Sequence, residues 1–259
     1  MEKMEMSEQQ ETKQEFKVRF RIPQVELKTV FDFFKNAVND VVLFHASMDG
    51  VRIAATSNDN SRLGIVYLNK SSMRDYEATN NHTFALDLSL LRGTLLLLKD
   101  KHALLTFIQN NDRIIIESAD GFTKEVFVED TIVNVRVPEI NYASGGVVDT
   151  DRLYRMARMA QDVNSTVKLT GDGNNLVISA ERDTHKKIAV EVPISVKAGG
   201  YNGEQITVSS EFLLSAVTPL KEYSMMVRIA NNKPLKINFK KPVLDGEIKG
   251  YIMIAPRVE

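Results

Sequence analysis

Apolar and charged residues alternate from Phe16 to Ile22, Phe-Lys-Val-Arg-Phe-Arg-Ile. A two-residue period turns one face of an extended chain inward, so this stretch predicts a half-buried strand that Pro23 ends. The period then becomes helical over Val25–Asn39, with Leu27, Val30, Phe31, Phe34, Ala37 and Val38 on one stripe. Val41–Ser47 and Val51–Ser57 read as strands around an Asp49-Gly50 hairpin turn, and Leu63–Leu68 as another strand. Thr83–Leu86 leads into a helix predicted over Leu88–Leu98. Three more strands follow at Ala103–Ile108, Arg113–Ser118 and Lys124–Val128.

The second half repeats this order. Val147-Val148 opens it, and a helix follows over Thr150–Asp162 with Leu153, Met156, Ala157 and Ala160 inward. Strands are predicted at Thr166–Thr170, Asn175–Ala180 and Lys187–Val192, and Ile206–Val208 leads into the next helix. A helix over Ser210–Leu220 and strands at Met225–Ile229, Leu235–Phe239 and Gly250–Ile254 complete the chain. The halves superpose with an offset near 122: Asp49-Gly50 on Asp172-Gly173, Leu86 on Val208, Leu105 on Val227 and Asn110 on Asn232. A register held over so many positions indicates duplication. The fold class expected is α+β: two tandem copies of one unit, with helices on one face of antiparallel sheets.

The two copies flank an extended connector. Phe127–Ser144 carries apolar Ile132, Val133, Val135 and Val137 ahead of Pro138, which disfavours helix in the residue before it. The expected organisation is a disordered polar tail over 1–15, a first domain over 16–127, a connector over 128–143 and a second domain over 144–259.

Composition narrows function mostly by exclusion. The formal net charge is −1, so a nucleic-acid surface has to be local. The absence of cysteine excludes disulfides and thiolate metal sites and favours a reducing compartment. No apolar run reaches the length of a membrane span. His45, His82, His102 and His185 are scattered without metal-ligand spacing. Gly171-Asp172-Gly173-Asn174 lacks the Lys-Ser/Thr of a phosphate loop and the closing glutamate of a calcium loop. A hydrolase or nuclease needs clustered carboxylates or histidines, and the sequence offers none, so no enzyme activity, metal or cofactor is expected. The positive chemistry is on the helices, where Lys28, Lys35, Arg92, Lys99, Arg152, Arg155, Arg158 and Lys221 lie off the apolar stripes. Four such helices on one side of a sheet add up to a phosphate-binding surface that reads no bases.

Several short motifs resemble the sliding clamps of the proliferating cell nuclear antigen family, most nearly the archaeal ones. They are the ending Tyr251-Ile-Met-Ile-Ala-Pro-Arg-Val-Glu259, Thr218-Pro219-Leu220, Lys233-Pro234-Leu235, Ser47-Met48-Asp49 before a hairpin, and Val137-Pro138-Glu139 followed by Tyr142. The resemblance spans about Phe16 to Glu259. It implies a ring-forming trimer around double-stranded DNA, with inner helices facing the duplex. It further implies that DNA polymerase, clamp loader, flap endonuclease and ligase dock through short peptide motifs beneath the connector. The pocket implied is Met48, Val51, Ile53, Val135, Val137, Pro234, Met253, Ile254, Ala255 and Pro256. The subunit interface implied is strand pairing through Arg113, Ile114, Ile115 and Ile116 on one side and Lys187, Ile188, Ala189 and Val190 on the other. Homotrimer, heterotrimer and checkpoint-type rings all fit these residues. The location implied is cytoplasmic and nucleoid-associated, or nuclear in a eukaryote.

Overall fold

The computed structural model describes residues 16–90, 104–110, 112–119, 121–128, 135–182 and 188–257, with only the backbone described at 182 and over 188–192. The predicted tail, the body of the predicted helix at 88–98 with Arg92 and Lys99, connector residues Ile132 and Val133, and Lys187 lie outside these.

The first half opens with β1 (Val18–Pro23), α1 (Gln24–Ala37), β2 (Val41–Ser47), β3 (Gly50–Thr56) and β4 (Arg62–Asn69). It continues through β5 (Arg74–Ala78), β6 (His82–Asp87), β7 (Leu104–Asn110), β8 (Arg113–Ser118) and β9 (Thr123–Phe127). The second half holds β10 (Gly145–Val148), α2 (Thr150–Val163), β11 (Thr166–Asp172), β12 (Asn175–Arg182) and β13 (Ile188–Ser195). After these come β14 (Ala198–Gly200), β15 (Gln205–Ser209), α3 (Ser210–Val217), β16 (Ser224–Arg228), β17 (Leu235–Val243) and β18 (Gly246–Ile254).

Local chemistry sets several boundaries. Asp149 accepts the Arg152 N–H at 3.0 Å and caps α2. Pro219, with no N–H to donate, stops α3 at Val217, and Thr218–Leu220 tighten into a 3-10 turn. The helix predicted as far as Leu220 is therefore two elements. The hydrophobic pattern does not predict β5 and β14: the first is mostly charged and the second is Ala-Gly-Gly, so neither shows an apolar period.

The sheet order makes the duplication explicit. One sheet runs β5-β1-β7-β8-β9, and the same order recurs as β14-β10-β16-β17-β18. Likewise β6-β2-β3-β4 recurs as β15-β11-β12-β13. β18 pairs with β4 over Ile248–Ile254, fusing two of these units into one nine-stranded sheet across the halves.

The offset is not constant, however. Gln24 maps to Thr150, an offset of 126, whereas Arg113 maps to Leu235, an offset of 122. The second copy is shorter between its first hairpin and β15. The expected match of Asp49-Gly50 to Asp172-Gly173 is accordingly two residues out, because Ser47↔Gly50 closes one hairpin and Asp172↔Asn175 the other. Gly50 is not a turn residue but the first residue of β3. Its φ is 137°, and an added Cβ would lie 2.2 Å from the Leu68 carbonyl oxygen.

All three described α-helices pack on one side of the sheets, with α3 between α1 and α2. One apolar core lies beneath them and spans both halves. Phe20, Phe107, Phe44 and Phe84 stack through the first half, and Phe33 of α1 meets Phe239 of β17 edge-on at 5.1 Å. A separate cluster of Ala54, Leu63, Ile65, Tyr142 and Met253 sits apart from that core. Its strand residues alternate with core residues, so it lies on the opposite, outer face.

Candidate nucleic-acid and partner interface

On the helix side, the exposed face of α2 carries Arg152, Arg155 and Arg158. None of the three pairs with a carboxylate among the described residues. Lys221, just past the 3-10 turn, sets its Nζ 3.6 Å above the Tyr154 ring. Lys221, and after it Arg158, hold the Tyr154 hydroxyl below its ordinary value. Tyr154, Arg158 and Lys221 therefore form one cationic corner where α2 meets the end of α3. α1 differs. Lys28 is tied to Asp32 one turn on, and Lys35 lies 3.9 Å from Asp40. Both lysines are half-buried, and their charge is partly neutralised inside the chain. The eight predicted basic positions thus divide into a free group on α2 with Lys221, a paired group on α1, and Arg92 and Lys99 outside the described residues.

On the outer face, the connector is fastened by Tyr142. Its hydroxyl donates to the Pro234 carbonyl at 2.7 Å, and burial pushes that hydroxyl up to about 12. Val135 and Ile140 pack against the outer-face cluster that contains Tyr142. Met48, in the turn between β2 and β3, is 67% exposed, and Val137 on the connector is 42% exposed. Pro234, Ala255 and Pro256 are half-exposed, and the Ala255 N–H donates to the Ser61 carbonyl at 2.8 Å.

Three predicted pocket residues are elsewhere. Val51, Ile53 and Ile254 are buried in the main core beneath the helices. Successive strand residues point to opposite faces, so Arg52 and Ala54, not Val51 and Ile53, share a face with the connector. The charge of Arg52 between two apolar neighbours is the sequence signal that shows this register. Ala54, Leu63, Ile65, Ile140 and Tyr142 are the outer-face residues missed.

The predicted interface also needs correction. β8, with Arg113, Ile114, Ile115 and Ile116, is paired to β7 on one side and β9 on the other, so it has no free edge to offer. The edge belongs to β9, where Phe127 is exposed and Arg113 reaches Glu125 at 2.6 Å. β13, with Ile188, Ala189 and Val190, pairs only with β12 among the described residues and does end its sheet.

No group of three His, Asp or Glu side chains among the described residues is placed to hold a metal ion. Asp59 in the polar loop is held well below the ordinary carboxylate range by hydrogen bonds from Ser57 and Ser61. That is a loop held together by its own contacts.

No protein-family model matches the chain, and no curated protein matches it by sequence. Solved structures do. A. fulgidus proliferating cell nuclear antigen, in a structure with the C-terminal region of FEN-1 bound, superposes with a TM-score of 0.81 at 17% identity, covering 93% of this chain and 99% of that one. The Thermococcus kodakaraensis protein gives 0.79 at 14% identity over 93% and 100%. That of Entamoeba histolytica gives 0.81 at 12% over 94% and 100%. The chain has the α+β fold of these proteins over nearly its whole length.

Proposed function

We propose that this chain, built on the fold of the sliding clamps, is a non-catalytic clamp subunit that encircles duplex DNA and tethers polymerase, flap endonuclease, ligase and other replication and repair proteins to it. In this reading 16–127 and 144–259 are the two domains and 128–143 the connector. The observation that carries it is the joint between the halves. β18 pairs with β4, while their counterparts β9 and β13 each end a sheet. Repeating that joint between chains, β9 of one against β13 of the next, covers both edges and closes a ring. Three chains then give six like units, with the helices lining the hole.

The electrostatics suit sliding. Three exposed arginines on α2 and Lys221 supply sequence-blind phosphate contacts, and closure of the ring, not affinity, retains the DNA. On the outside, exposed Val137 on the connector and exposed Met48 supply apolar side chains of the kind that short-peptide anchor sites use. The A. fulgidus complex with a FEN-1 segment supports this peptide-docking role.

Light scattering over a dilution series tests the ring. A solution mass three times the 29.2 kDa of one chain is expected. A monomer that assembles only when other chains are added points instead to a heterotrimer.

A further inference from the structure

The outer face holds a second feature that the connector site does not use. A groove of about 380 Å³ crosses β4, β18, β17, β16 and β10, and none of its lining residues belongs to the pocket expected from the sequence. Strand register explains its shape. Val147, Met226, Asn238 and Tyr251 are successive cross-strand neighbours and form the floor. Asn238 is short between Met226 and Tyr251, which leaves a dip.

The rows on either side of this floor are cationic. Lys240 stands directly opposite Lys249, and Arg228 directly opposite Lys236. Like charges facing each other across a strand pair disfavour the sheet. Glu247, 3.3 Å from Lys249, is the one carboxylate among the described residues that pairs with any of the four. The Arg228 Nε is buried with no hydrogen-bond partner among the described residues. Burial, and then the charge of Arg228, lower the Lys236 ammonium, whose Nζ lies 4.1 Å over the Tyr251 ring. Two mutually repelling cation pairs therefore flank an apolar and aromatic trough, and an anionic ligand relieves the repulsion on both sides.

We propose that this groove docks an acidic peptide segment of a partner protein, with one aromatic or long aliphatic side chain seated on the Met226–Tyr251 floor and carboxylates on either side. Val147 and Met226, the aliphatic part of the floor, favour a peptide over a nucleic acid. So does continuity with the apolar cluster under the connector, against which Tyr67 and Tyr251 also pack. A peptide held at the connector can extend its acidic flank into the groove. The inference rests on the clamp reading only in needing this face open in the assembled ring. β16, β17 and β18 are interior strands, so ring closure through β9 and β13 leaves them uncovered.

The test uses the full chain and a fluorescein-labelled dodecapeptide of alternating Glu and Ser with one central Phe, read by anisotropy. Saturable binding is expected, weakening about fivefold or more between 50 and 300 mM salt. R228Q/K240Q is expected to weaken it about tenfold, and the all-Gln counterpart of the peptide not to bind. K240Q alone, at an exposed site, is expected to lower affinity in the same direction. Ring mass and binding of a glutamine-and-aromatic peptide at the connector are measured on the same samples. A ring that is intact and binds the connector peptide, but shows no saturable binding of the acidic peptide, overturns the groove assignment and leaves the clamp reading standing. Unchanged affinity in R228Q/K240Q also overturns it. So does a dodecathymidylate that binds as well with the same variant sensitivity, which would make this a nucleic-acid site. Residues 1–15 carry five glutamates. A gain in peptide affinity on deleting them overturns the partner assignment in favour of the chain's own tail.

Discussion

Glu26 is 6% exposed and sits where the two halves meet. It reaches from α1 of the first half to Lys241 of β17 at 2.7 Å and receives the Tyr223 hydroxyl at 3.1 Å. Lys241 also holds Glu222 at 2.7 Å. A buried charge is tolerated only while it is paired, and removing one partner costs more than removing both. Lys241→Met is therefore expected to cost about 3 kcal/mol in urea unfolding. Adding Glu26→Gln to it should recover most of that loss. A double variant as unstable as the single one would show that packing, not charge, matters here. The pH dependence follows from the same contacts. Burial, and after it Glu26, push Tyr223 above its ordinary value of 10.0. Burial alone would lower Lys241, but its bonds to Glu222 and Glu26 outweigh that and hold it above 10.5. Both groups bind their protons more tightly in the folded state, so their contribution is complete at neutral pH. It is lost as pH rises through and beyond about 10. Melting temperature measured from pH 7 to 11 should fall more steeply in the native protein than in Tyr223→Phe.

Among the elements, α2 and α1 make different predictions although both are amphipathic and basic. The α2 arginines are exposed and pair with no carboxylate among the described residues, whereas Lys28 and Lys35 each have an acidic neighbour. Changing Arg152, Arg155 and Arg158 to Ala is expected to weaken duplex binding and to reduce the salt slope by about 0.9 for each phosphate that is no longer neutralised. Changing Lys28 and Lys35 to Ala should alter it much less. Equal effects from both sets would sink the division drawn between the two helices. The connector gives a second test. Tyr142→Phe deletes the bond to Pro234, costs about 1 kcal/mol locally and should speed amide exchange over residues 135–142 while the nine-stranded sheet stays protected. Strand edges show where sequence reading stops. β8 and β9 are both predictable as strands, and the apolar run at Ile114–Ile116 makes β8 look like the stronger pairing surface. That run is apolar because β8 is central; the edge strand β9, Thr-Lys-Glu-Val-Phe, is more polar.

For the whole molecule, β18–β4 pairing is the joint that the proposed ring would repeat between chains. One continuous core crosses it, and Phe33–Phe239 and Glu26–Lys241 lie along it, so the two halves should unfold as one cooperative unit. Coincident unfolding curves from probes in each half would bear this out. Two separated transitions would mean that the halves are independent and that the ring has hinges within each chain. With the joint intact, the mass of the proposed trimer should depend on concentration only through the β9–β13 contact.

The duplication, nearly every described strand and helix, and the basic character of α1 and α2 are legible in the chain without coordinates. These depend on local periodicity and on repetition, both of which can be read along one dimension. Whatever depends on which face, edge or partner a residue meets needed the folded chain. A one-residue difference in face moved Val51, Ile53 and Ile254 from the connector pocket to the core and put Ala54 in their place. The partner strand on each side made β8 interior and β9 an edge. Ion pairing separated lysines on α1 from arginines on α2 that look alike in sequence. The outer groove exists only because β16, β17 and β18 align Lys240 with Lys249 and Arg228 with Lys236, positions separated in sequence and joined by register alone.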